Sequence, residues 1–287
     1  MNSLIKTSLG LGTAALLAIT NVNSATVVAD WGGDYVSVDQ ALAVPTPVGS
    51  APTWTYKYSA STAISPASGY TAPSGKSGTF YGALEVTNSE AANAASAWDA
   101  SPRIQNNAAA DRIRLRSKAL AASGTSAVTG LVFFKKTDFL NSMSSPSQIK
   151  FDSTSNFTMS LATNVGSVRL AVLDGSQWYL SSYNFTSGSG NISLSNLASE
   201  NFGAWSIDST SAPLPAVPGS FGIAGSTFTD IQAVGFYFSG STNTTGVTPG
   251  VQATAFSVSA VPEPSTSLLM GVGLTGVLLM ARRRRQG

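Results

Sequence analysis

Hydrolysis of a glycosidic bond needs two carboxylates facing each other across the scissile linkage. Between Thr26 and Val261 the chain offers Glu85, Glu90, Glu200 and ten Asp for that work, and nothing in their spacing singles out a pair. The chain has no Cys and no His. Thiolate nucleophiles, disulfides, cysteine metal sites and Ser-His-Asp triads are therefore excluded in their usual forms. Ser147 and Lys150 stand at Ser-x-x-Lys spacing, but the partner motifs of that class are missing. The acidic residues read instead as solvated surface groups or loop caps, and no catalytic residue is assigned.

Metal binding without Cys or His leaves hard oxygen donors, for which Ca²⁺ is the natural ion. Asp30 and Asp34 bracket Trp31-Gly32-Gly33, with Asp39 close behind. They are the calcium candidates, and the competing reading is turn chemistry, each Asp bonding its own backbone. Flat aromatic faces can stack on sugar rings. Trp31, Trp54, Trp98, Trp178 and Trp205 all lie in the central segment. Trp178 and Tyr179 are adjacent, so a strand there turns one of them outward or into a groove; this pair is the candidate carbohydrate contact. The ordinary fate of such residues is core packing. Arg112, Arg114 and Arg116 alternate with Ile113 and Leu115. That places three guanidinium groups on one strand face, suited either to an anionic polysaccharide or to a wet, aggregation-resistant surface. Four Asn-x-Ser/Thr triplets, at Asn156, Asn184, Asn191 and Asn243, arise readily in so Ser/Thr-rich a chain and carry no argument.

The formal net charge of +2 hides an asymmetry. Lys6 and Arg282 to Arg285 sit at the two ends, and the span from Thr26 to Val261 holds 11 Lys/Arg against 13 Asp/Glu. A weakly acidic middle argues against nucleic-acid binding.

The ends have their own logic. Lys6, the apolar run Leu9 to Ile19 and the small residues Val22-Asn23-Ser24-Ala25 have the layout of a secretory signal helix cut by signal peptidase after Ser24 or Ala25. At the other end, Val261-Pro262-Glu263-Pro264-Ser265 precedes the apolar Leu268 to Ala281 and the cluster Arg282, Arg283, Arg284 and Arg285. As a helix, the 14 residues from Leu268 to Ala281 would span about 21 Å, short of a hydrocarbon core of about 30 Å. The Arg side chains can snorkel to make up part of the difference. Their charge holds the C-terminus in the cytoplasm as a stop-transfer and puts the rest of the protein outside. Two Pro around one Glu cannot continue a helix, so the segment just outside the membrane stays extended, as a protease requires.

Pro262-Glu263-Pro264, a short transmembrane helix and a terminal Arg cluster, in that order, resemble the PEP-CTERM sorting signal of Gram-negative bacteria. The resemblance covers about the last 25 residues. It implies processing by exosortase, a membrane protease-transpeptidase: removal of the helix at or near the triplet, then transfer from a transient inner-membrane anchor to the cell surface or the extracellular polymer matrix. A permanent tail anchor with a Pro-rich hinge is the alternative that the residues alone leave open.

The middle must supply the fold. Alternating apolar runs recur at Val27–Trp31, Thr53–Tyr58, Thr79–Val86, Arg112–Arg116, Thr129–Phe134, Phe157–Ala162, Ser167–Leu173, Gln177–Tyr183, Ala204–Ile207, Ile231–Phe238 and Ala253–Val258, with Gly, Ser, Asn, Asp and Pro between them. Only Ser89 to Ala97 suggests a short helix. Such a pattern predicts an all-β sandwich. Asp174-Gly175 between two alternating runs predicts a hairpin. The nearly continuous apolar run Ile231–Phe238 predicts a central strand covered on both sides. The strand order, the Trp178-Tyr179 hairpin and the last strand before the triplet are similar to exported jelly-roll, lectin-like domains. The expected organisation is a signal peptide at 1–25, one jelly-roll-like β-sandwich at 26–260 and a sorting segment with a single transmembrane helix at 261–287. Ser187 to Asn191 would be the seam if there were two domains. The expected role is structural or adhesive and not enzymatic, with a carbohydrate-binding module as the alternative and a polysaccharide-active enzyme third.

Overall fold

The structure is a computed structural model. It describes residues 24–32, 40–41, 53–56, 72, 74–88, 103–105, 112–117, 119–120, 124–141, 148–186, 188–207 and 214–263. Both predicted membrane helices, the Ser89 to Ala97 helix, Asp34, Pro264 and Arg282 to Arg285 lie outside the described residues. No helix among the described residues is long and apolar enough to cross a membrane.

The described chain is nearly all β. Its strands are β1 (Thr26–Gly32), β2 (Gln40–Ala41), β3 (Thr53–Tyr56), β4 (Tyr81–Asn88), β5 (Arg103–Gln105), β6 (Arg112–Arg116), β7 (Ser126–Lys135), β8 (Ile149–Lys150), β9 (Asn156–Val165), β10 (Ser167–Asp174), β11 (Gln177–Ser181), β12 (Phe185–Thr186), β13 (Gly190–Ser195), β14 (Asn201–Trp205), β15 (Ile223–Ala224), β16 (Ile231–Thr242) and β17 (Gly250–Pro262). All strand pairing is antiparallel and falls into two open sheets. One runs β13-β9-β17-β6-β5-β2, with β1 and β8 also paired to β17; the other runs β15-β14-β11-β10-β16-β7-β4-β3, with β12 on β10.

One apolar core joins the sheets. Val168, Leu170 and Val172, which share a face of β10 as their alternation predicts, meet Val132 and Phe134 of β7, Phe236 and Phe238 of β16, and Met159 and Phe256 of the other sheet. Phe256 is the bridge: its ring lies 5.3 Å from Phe134, 5.5 Å from Phe157 and 6.0 Å from Phe236. A second cluster covers the outer face of the β15–β3 sheet, and β16 serves both. Ile231, Val234, Phe236 and Phe238 enter the core between the sheets, while Ala233 and Tyr237 enter the outer cluster. This is the two-sided cover its apolar run predicts.

The β10–β11 hairpin forms at the expected place, one residue out of step with its cue. Asp174 pairs with Gln177, so the two-residue loop is Gly175-Ser176. Gly175 supplies the positive φ of +55° that such a loop demands. The Asp174 carboxylate instead accepts the backbone N–H groups of Thr229 and Asp230, at 3.0 and 2.7 Å, and fixes the loop that leads into β16.

Candidate functional site

β17 positions the site. It is the hub of its sheet, with β9 along one edge and β6, then β1, along the other. Thr26, the first residue of β1, stands opposite Ala260. The Ala25 backbone N–H donates to Thr154 Oγ1 at 3.0 Å. The predicted signal-peptidase site and the beginning of the sorting segment therefore lie side by side at one end of one sheet.

β17 does not stop where the sorting segment was expected to begin. Val261 and Pro262 belong to the strand and pair with Lys150 and Ile149 of β8. The Glu263 N–H donates to the Gln148 carbonyl at 2.7 Å. The Glu263 carboxylate meets Lys150 Nζ at 2.6 Å, with both side chains little more than one-third exposed. The expected boundary at residue 260 is thus crossed by the sheet: two residues of the triplet are held by the domain. The Pro at the strand's last position needs no ladder donor, which is why the pairing tolerates it. β8 itself is firmly seated. Ile149 is fully buried and Phe151 is 2% exposed, the Phe151 ring lying 6.0 Å from Phe228 and 6.4 Å from Phe202.

The other sequence candidates are placed as follows. Asp30 forms an ion pair with Lys76 at 2.8 Å, and its backbone N–H donates to Ser77 Oγ. No group of three or more potential metal ligands occurs among the described residues. Trp178 and Tyr179 do point to opposite faces, but neither points into solvent. Tyr179 packs on the core between the sheets, its ring 4.8 Å from Phe228. Trp178 is 9% exposed and sits edge-on to Phe133 at 5.0 Å in the outer cluster. The cover over that cluster is a Pro-rich segment, with Leu214, Val217 and Phe221 packed on it. It is tied down by Trp205 Nε1–H donating to the Pro215 carbonyl at 3.1 Å and by Leu214 N–H donating to Glu85 Oε2 at 3.0 Å. Burial raises the Glu85 carboxyl above its ordinary range, and the Leu214 hydrogen bond pulls it partly back. Tyr183 is the exposed large apolar residue among those described.

The Arg row is also corrected. β6 lies between β17 and β5, so it is not an edge, and Arg114 is 1% exposed, so its face is not simply wet. Arg112 Nη1 donates to Gln252 Oε1 at 2.8 Å.

Sequence reasoning missed Lys150 and Gln148 as partners of the triplet. More than a hundred residues separate them from Glu263, and no local pattern marks a two-residue strand.

The central strand of the sheet runs unbroken to Pro262, with Thr26 of β1 alongside its last residues. Residues 260–285 match the family model of the PEP-CTERM protein-sorting motif. The motif implies an exported protein that is membrane-anchored until exosortase cleaves it. No curated protein and no solved structure matches the chain.

Proposed function

We propose that this chain is an exosortase-sorted protein of the cell surface or extracellular polymer matrix, with a domain of the jelly-roll-like sandwich kind serving a structural or adhesive role. The observation that carries the sorting half is the matched motif at residues 260–285, joined without a spacer to β17.

The structural role draws support from the acidic residues. Each one among the described residues is engaged by the fold's own donors: Asp30 by Lys76, Glu85 by Leu214, Asp138 by Tyr81, Asp152 by Thr154 and Ser155, Asp174 by Thr229 and Asp230, Glu200 by Ser182 and Tyr183, Asp230 by Lys136, and Glu263 by Lys150. A carbohydrate-binding role for Trp178 would require the segment around Leu214 to Phe221 to lift away first, so it ranks second.

The test replaces Pro262, Glu263 and Pro264 together with Ala in the native host. The full-length protein is then expected to accumulate in the membrane fraction and to be absent from surface polymer. Normal arrival of the triple variant at the surface or in the medium would refute the sorting claim.

A further inference from the structure

The domain holds the sorting triplet with two separate grips. One is backbone: Val261 and Pro262 are paired with β8, and the Glu263 N–H is spent on Gln148. The other is charge: Lys150 Nζ is 2.6 Å from the Glu263 carboxylate. β8 cannot easily swing away to release them, because Ile149 and Phe151 on either side of Lys150 are buried in the core. Release must come from the β17 end.

An enzyme that takes an extended peptide needs that peptide's backbone groups and side chains free. With β8 in place, Glu263 offers neither its N–H nor an unengaged carboxylate. Reach adds a second constraint. From Glu263 to Leu268, where the apolar stretch begins, an extended chain covers at most about 17 Å. Freeing Val261 to Glu263 adds roughly 10 Å, enough to draw the triplet clear of the domain surface.

We propose that β8 with Lys150 is a latch on the sorting triplet, and that Lys150 is a positioning residue whose hold on Glu263 the sorting enzyme must break before cleavage. The proposal rests on the sorting function above and goes beyond it by naming the domain as a competitor for the enzyme's recognition element. Unlatching, not only encounter, then sets the processing rate of the folded protein.

The test is a pulse-chase of the full chain in its native host, following conversion of the anchored form to the processed form. Lys150→Ala removes the ionic grip from a partly exposed position and should leave the fold intact. Conversion should accelerate about two- to five-fold, the span expected for loss of one exposed ion pair. Lys150→Glu should accelerate it further by repelling Glu263, and Lys150→Arg should restore the wild-type rate. Melting temperatures of the anchored forms serve as the control, since general loosening of the domain would lower them together with any rate change. A Lys150→Cys/Val261→Cys pair supplies the opposite perturbation, because these two residues face each other in the register and the chain has no other Cys. With the disulfide formed, conversion should stop; with it reduced, conversion should resume. Unchanged rates in Lys150→Ala and Lys150→Glu, or normal conversion of the stapled protein, would overturn the latch. The Pro262, Glu263 and Pro264 triple-Ala variant, run in parallel, separates the two claims: if it alone blocks conversion, sorting stands and the latch falls; if it converts normally, the sorting claim itself has failed.

Discussion

Replacing Phe256 with Ala tests whether the two sheets depend on a single bridging ring. Phe256 is fully buried on β17. Its neighbours come from both sheets: Phe134 and Phe236 from the β15–β3 sheet, and Phe157 from its own. Trp31, also fully buried, faces it from β1 in the register. Truncating a buried Phe costs about 3–5 kcal/mol in transfer and cavity terms. Three ring contacts, each adding about 0.5–1.5 kcal/mol beyond area in favourable geometry, place this site toward the top of that range. Rigid flanking strands on both edges of β17 leave little scope for collapse into the void. Against a total stability of roughly 5–15 kcal/mol, the loss is large. With a urea m-value of about 3 kcal/mol/M for a domain of this size, the midpoint should fall by roughly 1–2 M. Phe256→Leu retains most of the volume and should cost about half as much or less. The assay is urea unfolding of the exported form, followed by tryptophan fluorescence, with an unchanged m-value confirming that the same transition is being compared. A loss below about 1 kcal/mol for Phe256→Ala, or equal losses for the Ala and Leu variants, would refute the bridging role.

Two further predictions concern protonation. Asp152 lies in a tight turn where its Oδ1 accepts hydrogen bonds from the N–H and hydroxyl groups of both Thr154 and Ser155. Burial alone would raise this carboxyl, but the four hydrogen bonds outweigh it and hold it below its ordinary value of 3.8. A carboxyl depressed on folding contributes stability that is present above its unfolded value and is lost as pH falls through the folded one. The wild-type urea midpoint should therefore decline below about pH 4 more steeply than that of Asp152→Asn, and parallel curves would contradict this. Tyr81 behaves in the opposite sense. Burial first, then its hydrogen bond to Asp138 at 3.0 Å and the charge of that carboxylate, push its phenol up to about 12. The unfolded phenol ionises near 10 while the folded one keeps its proton, so this contribution is complete below pH 10 and drains away toward pH 12. The phenolate absorbance difference between wild type and Tyr81→Phe should show a titration near the upper value, moving toward 10 in Asp138→Asn; a wild-type difference curve centred at 10 would be the contrary result.

Strand existence was legible where alternation was long. β6 and the start of β10 and β11 fall where the pattern puts them, because period-two apolar spacing has one stable use on a sheet with a buried face. β8, β12 and β15 were not legible: each is two residues long and exists only because a distant strand pairs with it. The fates of Trp178 and Arg114 show a different limit. Alternation assigns a side chain to a face but does not say what lies on that face. For Trp178 only part of the information lay in the sequence. The apolar run of β16 requires cover on both faces of its sheet. β11 pairs with β10, and β10 with β16, so the cover over Tyr237 and Ala233 extends to Trp178. The sequence marks the need for that cover, but only the pairing of β10 with β16 carries it across to the indole. The hold of Lys150 on Glu263 had no such precursor.

The position of β17 also constrains when the domain can form. Among the described residues, β6 and β9 meet only through β17, and β1 pairs along its last residues. The sheet is therefore incomplete until Gly250 to Pro262 has joined it, however early the other strands leave the translocation path. Non-local pairing of this kind is slow because its loop-closure cost precedes its reward. Capture of β17 between β9 and β1 draws Val261 and Pro262 onto β8, so closing the sheet and closing the latch are consecutive steps along one strand. A chain that fails to insert β17 would leave its triplet unlatched and open to the sorting enzyme, whereas a folded chain presents it only on unlatching. The latch thus makes the cleavage rate a function of the state of the domain, which a sorting tail separated from the fold by a long linker could not do.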